Sequence, residues 1–198
     1  MSDPFGPLLS RLEALVSRIE ALVPGGHPAQ PDWDASVAFR YRRRSNGQGR
    51  LDAIRHVSSL TLADVCEVDA QKDKILRNTQ RFVSGQPANN VLLTGARGTG
   101  KSSLIKACLN AFKDQGLRLI EVDKGDLIDL PDIIDMVSDR PERFIVFCDD
   151  LSFDEGESGY KALKSILDGS VSSTSANVLI YATSNRRHLL PEYMKDNL

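Results

Sequence analysis

The sequence predicts an α/β domain built on a parallel sheet with helices on both faces. Three observations carry this. Between Asn90 and Asn185, short apolar runs alternate with stretches of helical periodicity, the pattern of parallel strands joined by helical crossovers. Phe144-Ile145-Val146-Phe147-Cys148 is apolar without interruption, as a strand covered on both faces must be. A glycine-rich turn, Gly95 to Ser102, lies where an apolar run gives way to a helical one.

The elements follow in order. Leu8, Leu12, Leu15, Ile19 and Leu22 repeat at 4-3-4-3 spacing, so residues 1–23 are expected to form one amphipathic helix, ended by Pro24-Gly25-Gly26. Two heptads are too few for a coiled coil. The stripe fits a helix laid on its own domain, or one that docks a partner.

Residues 24–66 read as a linker followed by an arginine-rich segment. The linker is rich in proline and glycine; from Ala35 to Leu51 there are five arginines and no acid. Val37, Phe39 and Tyr41 alternate as in a strand with arginines on its wet face. Aromatic residues interleaved with Arg40, Arg42, Arg43 and Arg44 also fit nucleic-acid contact. The solvated strand face is the commoner arrangement.

Residues 67–198 hold the alternating elements. A helix is expected over Asp69–Val83, with Asp69 as N-cap and Gly85 just past its end. Then come strand Val91–Leu93, helix Leu104–Phe112, strand Leu117–Val122, helix Pro131–Val137, strand Phe144–Cys148, helix Tyr160–Leu167 and strand Val178–Ala182.

Composition narrows the function classes. The chain has 198 residues, 41% of them hydrophobic and 26% charged, with a net charge of −2. That suits one ordinary globular domain with appendages and gives no global basic excess. Its three cysteines, Cys66, Cys108 and Cys148, are odd in number and far apart, which argues against a disulfide framework and a structural zinc site. No apolar run is long enough to span a membrane. Asp3, Glu13 and Glu20 interrupt the first apolar stretch, so it does not read as a targeting peptide. The expected compartment is cytoplasmic.

The chemistry is concentrated at Gly95-Ala96-Arg97-Gly98-Thr99-Gly100-Lys101-Ser102, which matches G-x-x-x-x-G-K-[ST]. Glycines let successive N–H groups turn inward, and the helix that starts near Gly100 adds the positive end of its dipole. The octapeptide and the adjoining Ser103 are therefore expected to bind nucleotide phosphates. Lys101 places an ammonium on the β- and γ-phosphates, and Ser102 offers a hydroxyl to Mg²⁺. Asp149 ends the apolar strand and is the expected metal carboxylate; Asp150 follows and is placed to orient an attacking water. Asn185, at the end of the last strand, lies on the same sheet edge and offers a neutral amide to the γ-phosphate or that water.

These motifs resemble the AAA+ branch of P-loop ATPases: Gly95–Ser102 is similar to Walker A, Phe144–Asp150 to Walker B, and Asn185 to sensor 1. More narrowly, GARGTGKSSLIKA, IEVDKGDLIDLP, RPERFIVFCDDLSF and LIYATSNRRHLLPEYM resemble a bacterial ATP-binding family, domain of unknown function 815. The resemblance covers most of the chain. It implies a three-layer P-loop NTPase sheet of order 5-1-4-3-2, ATP and Mg²⁺ as ligands, and a homo-oligomer in the complete protein. It also implies that Glu67-Val68-Asp69 lies near adenine.

Two departures stand out. Walker B usually ends in Asp-Glu, and here it is Asp149-Asp150. The chain stops at Leu198, before the fifth strand, arginine finger and lid of that branch. It is thus expected to be C-terminally truncated, incomplete as a fold, with hydrolysis weakened and strand Val91–Thr94 left with an unpaired edge. The leading expectation is an ATP–Mg²⁺-binding module whose complete form hydrolyses ATP to remodel or load a macromolecular partner. The alternative is a nucleotide-dependent binding module with little or no turnover. A small-molecule kinase is disfavoured, because no acceptor site is evident and such kinases rarely carry a carboxylate beside Asp149.

Overall fold

The computed structural model describes residues 31–44, 47–153, 157–167 and 175–186, together with Arg11 and Leu15, both helical and exposed. The rest of the expected first helix, the linker up to residue 30 and the chain beyond Arg186 lie outside the described residues.

In chain order the elements are β1 (Ala38–Arg43), β2 (Gly49–Ala53), α1 (Asp69–Val83), β3 (Val91–Thr94), α2 (Lys101–Phe112), β4 (Leu117–Glu121), α3 (Leu130–Val137), β5 (Arg143–Cys148), α4 (Ser158–Leu167) and β6 (Val178–Ser184). Short 3₁₀ turns lie at Leu62–Asp64, Lys113–Gln115 and Lys124–Asp129. The six strands form one sheet of order β2-β1-β4-β5-β6-β3. Every neighbouring pair is parallel except the β1–β2 hairpin.

The strand alternation explains the layers. Along β5, Phe144, Val146 and Cys148 enter one core with Ile133 and Val137 of α3 and Leu163 and Ile166 of α4. Ile145 and Phe147 enter the other, with Ile75 and Phe82 of α1 and Leu104, Ile105 and Cys108 of α2. Successive strand side chains point to opposite faces, so an unbroken apolar run is what a strand sandwiched between two helical layers needs. Each large side chain buried this way contributes about 1.5–3 kcal/mol.

The arginine segment, set apart from the core by its composition, supplies two strands of the same sheet. β1 places Phe39 and Tyr41 inward and leaves Arg40 and Arg42 exposed, as its alternation predicts; Arg43, on the inward parity, is exposed where the strand ends. β2 was not legible, because Gly-Arg-Leu-Asp-Ala has one large apolar residue and no β-branched one. The arginines find acids: Arg40 meets Glu121 of β4 at 2.6 Å, Arg43 meets Asp129 at 3.1 Å, and Arg50 meets Asp52 of its own strand at 3.0 Å. Arg42 stands 3.7 Å from the same Asp52. Four of the five arginines thus stand within ion-pair distance of an acid, Arg42 and Arg50 sharing one.

Helix α1 covers the expected Asp69–Val83, but its cap lies one residue earlier. Val68 is its N-cap, and Asp69 lies in the first turn, where its charge still faces the positive helix end. Gly85 takes φ 73° past the other end, as a left-handed helix terminator does, and its N–H donates to Phe82 O at 3.0 Å. The P-loop strand β3 bonds β6 on one side only, and Leu92 on it is 45% exposed. Among the described residues nothing pairs with its other edge.

Candidate nucleotide site

The carboxyl ends of β3, β5 and β6 lie side by side at one edge of the sheet, and each delivers one part of the site. After β3 the chain turns through Gly95, Gly98 and Gly100, with φ of 151°, 84° and 79°. The last two lie in the left-handed region, where a side chain is strained. Gly100 is the N-cap of α2, whose first turn holds no acidic residue. The helix dipole is therefore left to act on an external anion.

Inside this turn the Lys101 ammonium uses three acceptors. Nζ donates to Gly95 O and Ala96 O, both at 2.8 Å, and to Asn185 Oδ1 at 3.0 Å. Thr99 Oγ1 donates to Ala96 O at 2.9 Å. Ser102 points across to β5: its Oγ donates to Asp149 Oδ1 at 2.5 Å, 47 residues on. Asp149, Asp150 and Asn185 are exposed to solvent, so a ligand reaches all of them.

A hydroxyl and a carboxylate at this spacing fit Mg²⁺. The donors are hard oxygens, and that ion is held through one or two carboxylates with the remaining positions left to phosphate and water.

The end of β6 fastens these parts together. Thr183 Oγ1 donates to Asp149 Oδ1 at 2.6 Å and accepts the Asp150 N–H at 2.8 Å. Thr183 O accepts the Leu151 N–H at 2.7 Å, and Ser184 Oγ donates to Leu151 O at 2.6 Å. Ser184 O accepts the Gly95 N–H at 3.2 Å. Asn185 Nδ2 donates to Asp150 Oδ1. Asp150 sits at φ 52°, a left-handed conformation that aspartate tolerates better than most residues.

Two hollows flank the phosphate loop. One, of about 270 Å³, is lined by Val68, Gln71, Thr94, Gly95, Lys101 and others. The second, of about 480 Å³, runs from Leu60 and Asp64–Val68 to Gly98–Gly100 and Ser103. Of the segment expected near adenine, Glu67 and Val68 line this space. Asp69 turns away into α1, with its side chain 87% exposed and 3.6 Å from Lys72.

The expected residues thus converge. Gly95, Ala96, Gly98, Thr99, Gly100, Lys101 and Ser102 form the turn. Asp149, Asp150 and Asn185 stand across from it, and Ser103 lines the second hollow. Arg97 is exposed. Sequence reasoning missed Thr183 and Ser184. The available signal was two hydroxyl residues closing an otherwise apolar strand, just before a singled-out amide.

The chain is 36% identical over 72 residues to a nucleotide-binding protein of Koribacter versatilis; that stretch is 36% of this chain and 22% of the relative. Its fold is similar to that of PCH-2 from C. elegans, with a TM-score of 0.50 and 20% identity, over 71% of this chain and 42% of that one. It is also similar to AMPPCP-bound DnaA from Aquifex aeolicus, with a TM-score of 0.44 and 19% identity, over 66% of this chain and 43% of that one. The chain spans less than half the length of each. The sheet is that of an AAA+ P-loop NTPase, and the chain belongs to the family described as protein of unknown function DUF815, whose model matches residues 34–198.

Proposed function

We propose that this chain is an ATP–Mg²⁺-binding AAA+ module whose complete form hydrolyses ATP to drive a change in a macromolecular partner. One observation carries the reading: Ser102 lies 2.5 Å from Asp149 while Lys101 lies 3.0 Å from Asn185. A cation, a hydroxyl, a carboxylate and an amide are thereby brought together beside the glycine turn.

The division of labour follows from the chemistry. The inward N–H groups of Gly95–Ser102 and the α2 dipole hold phosphate oxygens. Lys101 exchanges the carbonyls of Gly95 and Ala96 for the β- and γ-phosphates. Ser102 and Asp149 hold Mg²⁺, which when bound neutralises phosphate charge. Asp150 accepts a proton from, or orients, the attacking water. Asn185 reports on the γ-phosphate because it already touches both Lys101 and Asp150.

A second reading, nucleotide-dependent binding with little turnover, is favoured by the Asn185–Asp150 contact. An amide bound to Asp150 Oδ1 occupies one of the two carboxylate oxygens that an attacking water would use. The deciding experiment is nucleotide binding to the purified chain and its Lys101→Ala variant, followed by phosphate release. Loss of ATP binding in the variant is expected; equal affinity overturns the assignment of the loop. Clear phosphate release from the wild-type chain selects the enzyme over the binding module.

A further inference from the structure

The Thr183 side chain is 1% exposed and lies at the polar end of a buried strand. Its hydroxyl is used twice. It donates to Asp149 Oδ1 at 2.6 Å and accepts the Asp150 N–H at 2.8 Å. A hydroxyl has one proton to give, and the geometry gives it to the carboxylate. A bond to an ionised acceptor is the stronger kind. Thr183 therefore touches both acidic residues of the site, through the side chain of one and the main chain of the other.

That main-chain contact matters because of the conformation of Asp150. Among the described residues, only Glu67 and Asp150 combine a side chain with positive φ. A left-handed residue of this kind is held by its surroundings. Here the holding groups belong to Thr183: its hydroxyl takes the Asp150 N–H, and its carbonyl takes the Leu151 N–H at 2.7 Å. The turn brings the Asp150 carboxylate to Asn185. Ser102 and Thr183 both donate to the same oxygen, Oδ1 of Asp149.

We propose that Thr183 is a positioning residue of the nucleotide site, whose hydroxyl fixes the metal carboxylate Asp149 and the water-facing carboxylate Asp150 relative to each other; this rests on the ATP–Mg²⁺ reading above. Residues that orient a metal-holding carboxylate typically carry about 10–100-fold in metal affinity. Valine has the shape of threonine without the hydroxyl. In Thr183→Val, Asp149 loses a donor and the Asp150 N–H loses its acceptor. Serine keeps both bonds.

The test measures the affinity of the 198-residue chain for a fluorescent ATP analogue, in excess Mg²⁺ and in EDTA. The readout is the ratio of the two affinities. In Thr183→Val the ratio is expected to fall about tenfold, and in Thr183→Ser to return to near the wild-type value. Thr183→Ala, with thermal melting of every variant, guards against misfolding; a folded Ala variant must repeat the Val result. A wild-type ratio in a folded Val or Ala variant overturns the proposal. So does a ratio that falls in Thr183→Ser as far as in Thr183→Val, because the methyl would then be the operative group. A wild-type chain that binds the analogue no better with Mg²⁺ than without it overturns the parent reading instead, and this inference with it.

Discussion

Asn185 Oδ1 accepts the Lys101 ammonium at 3.0 Å across 84 residues of sequence, and the other end of the same amide donates to Asp150. One side chain thus joins the ammonium of the glycine turn to the carboxylate next to Asp149. A γ-phosphate that draws Lys101 to itself must change what Asn185 binds, whereas a diphosphate leaves a gap there. Asn185→Ala is expected to bring ATP and ADP affinities together, removing a preference of about tenfold, the size of one hydrogen bond to a charged group. Calorimetric titration with each nucleotide measures it. An unchanged preference takes Asn185 out of γ-phosphate recognition.

Asp150→Asn separates charge from shape. Asparagine fills the same space and tolerates the left-handed backbone at φ 52°, but it takes no proton from water. A positioned base contributes about 10²–10⁴ in rate. Single-turnover phosphate release is therefore expected to fall about 100-fold or more, measured at saturating ATP so that binding does not limit it. Retention of the wild-type rate assigns water activation to another group.

The glycine turn and the residues that meet it were legible because the proposed phosphate chemistry demands fixed spacing. Gly98, Gly100, Lys101 and Ser102 must lie within one turn, and Asp149 must end a strand. The alternation of β5 likewise follows from burial on both faces. The links between those parts were not legible. Nothing local to Thr183 says that its hydroxyl meets Asp149, 34 residues away, since that depends on β5 and β6 being neighbours in register. The acids opposite the β1 arginines were not legible for the same reason, as Glu121 and Asp129 reach them only after folding. β2 was missed because its place is set by Tyr41 on the adjacent strand and by little in its own residues.

That last dependence makes Gly49 a sharp test of the hairpin. A Cβ at this position would stand 2.0 Å from Tyr41 Oη and 2.5 Å from two ring carbons. Tyr41 has no room to retreat: it is 1% exposed and donates to Asp129 Oδ2 at 3.0 Å. Burial, then the bond to Asp129, raises the Tyr41 phenol above its ordinary range, so it remains a donor. Gly49→Ala is expected to destabilise the chain by about 1–3 kcal/mol, as overpacking of a filled core does, read by urea unfolding. Gly49→Ala combined with Tyr41→Phe relieves only the contact with the hydroxyl, so recovery should be partial. No loss of stability in the single variant places the ring elsewhere.

Cys148 immediately precedes the site and is 0% exposed. Burial pushes its thiol from 9.0 up to about 12, and Cys108 behaves alike. Only Cys66 of the free thiols is exposed. Ellman titration of native protein is expected to label one thiol promptly and the other two only on unfolding; prompt reaction of all three contradicts the buried placement. The same shift sets an alkaline dependence. Below about pH 9 the native and unfolded states both keep the proton. Above it the unfolded thiol ionises while the native one does not, so stability falls as pH rises from about 9 to about 12. Each thiol adds about 1 kcal/mol per pH unit to that slope. Cys148→Ala should therefore lose stability at neutral pH through its cavity, yet show a shallower decline between pH 9 and 11 than the wild type. Parallel slopes in the two proteins would mean that Cys148 does not hold its proton in the native state.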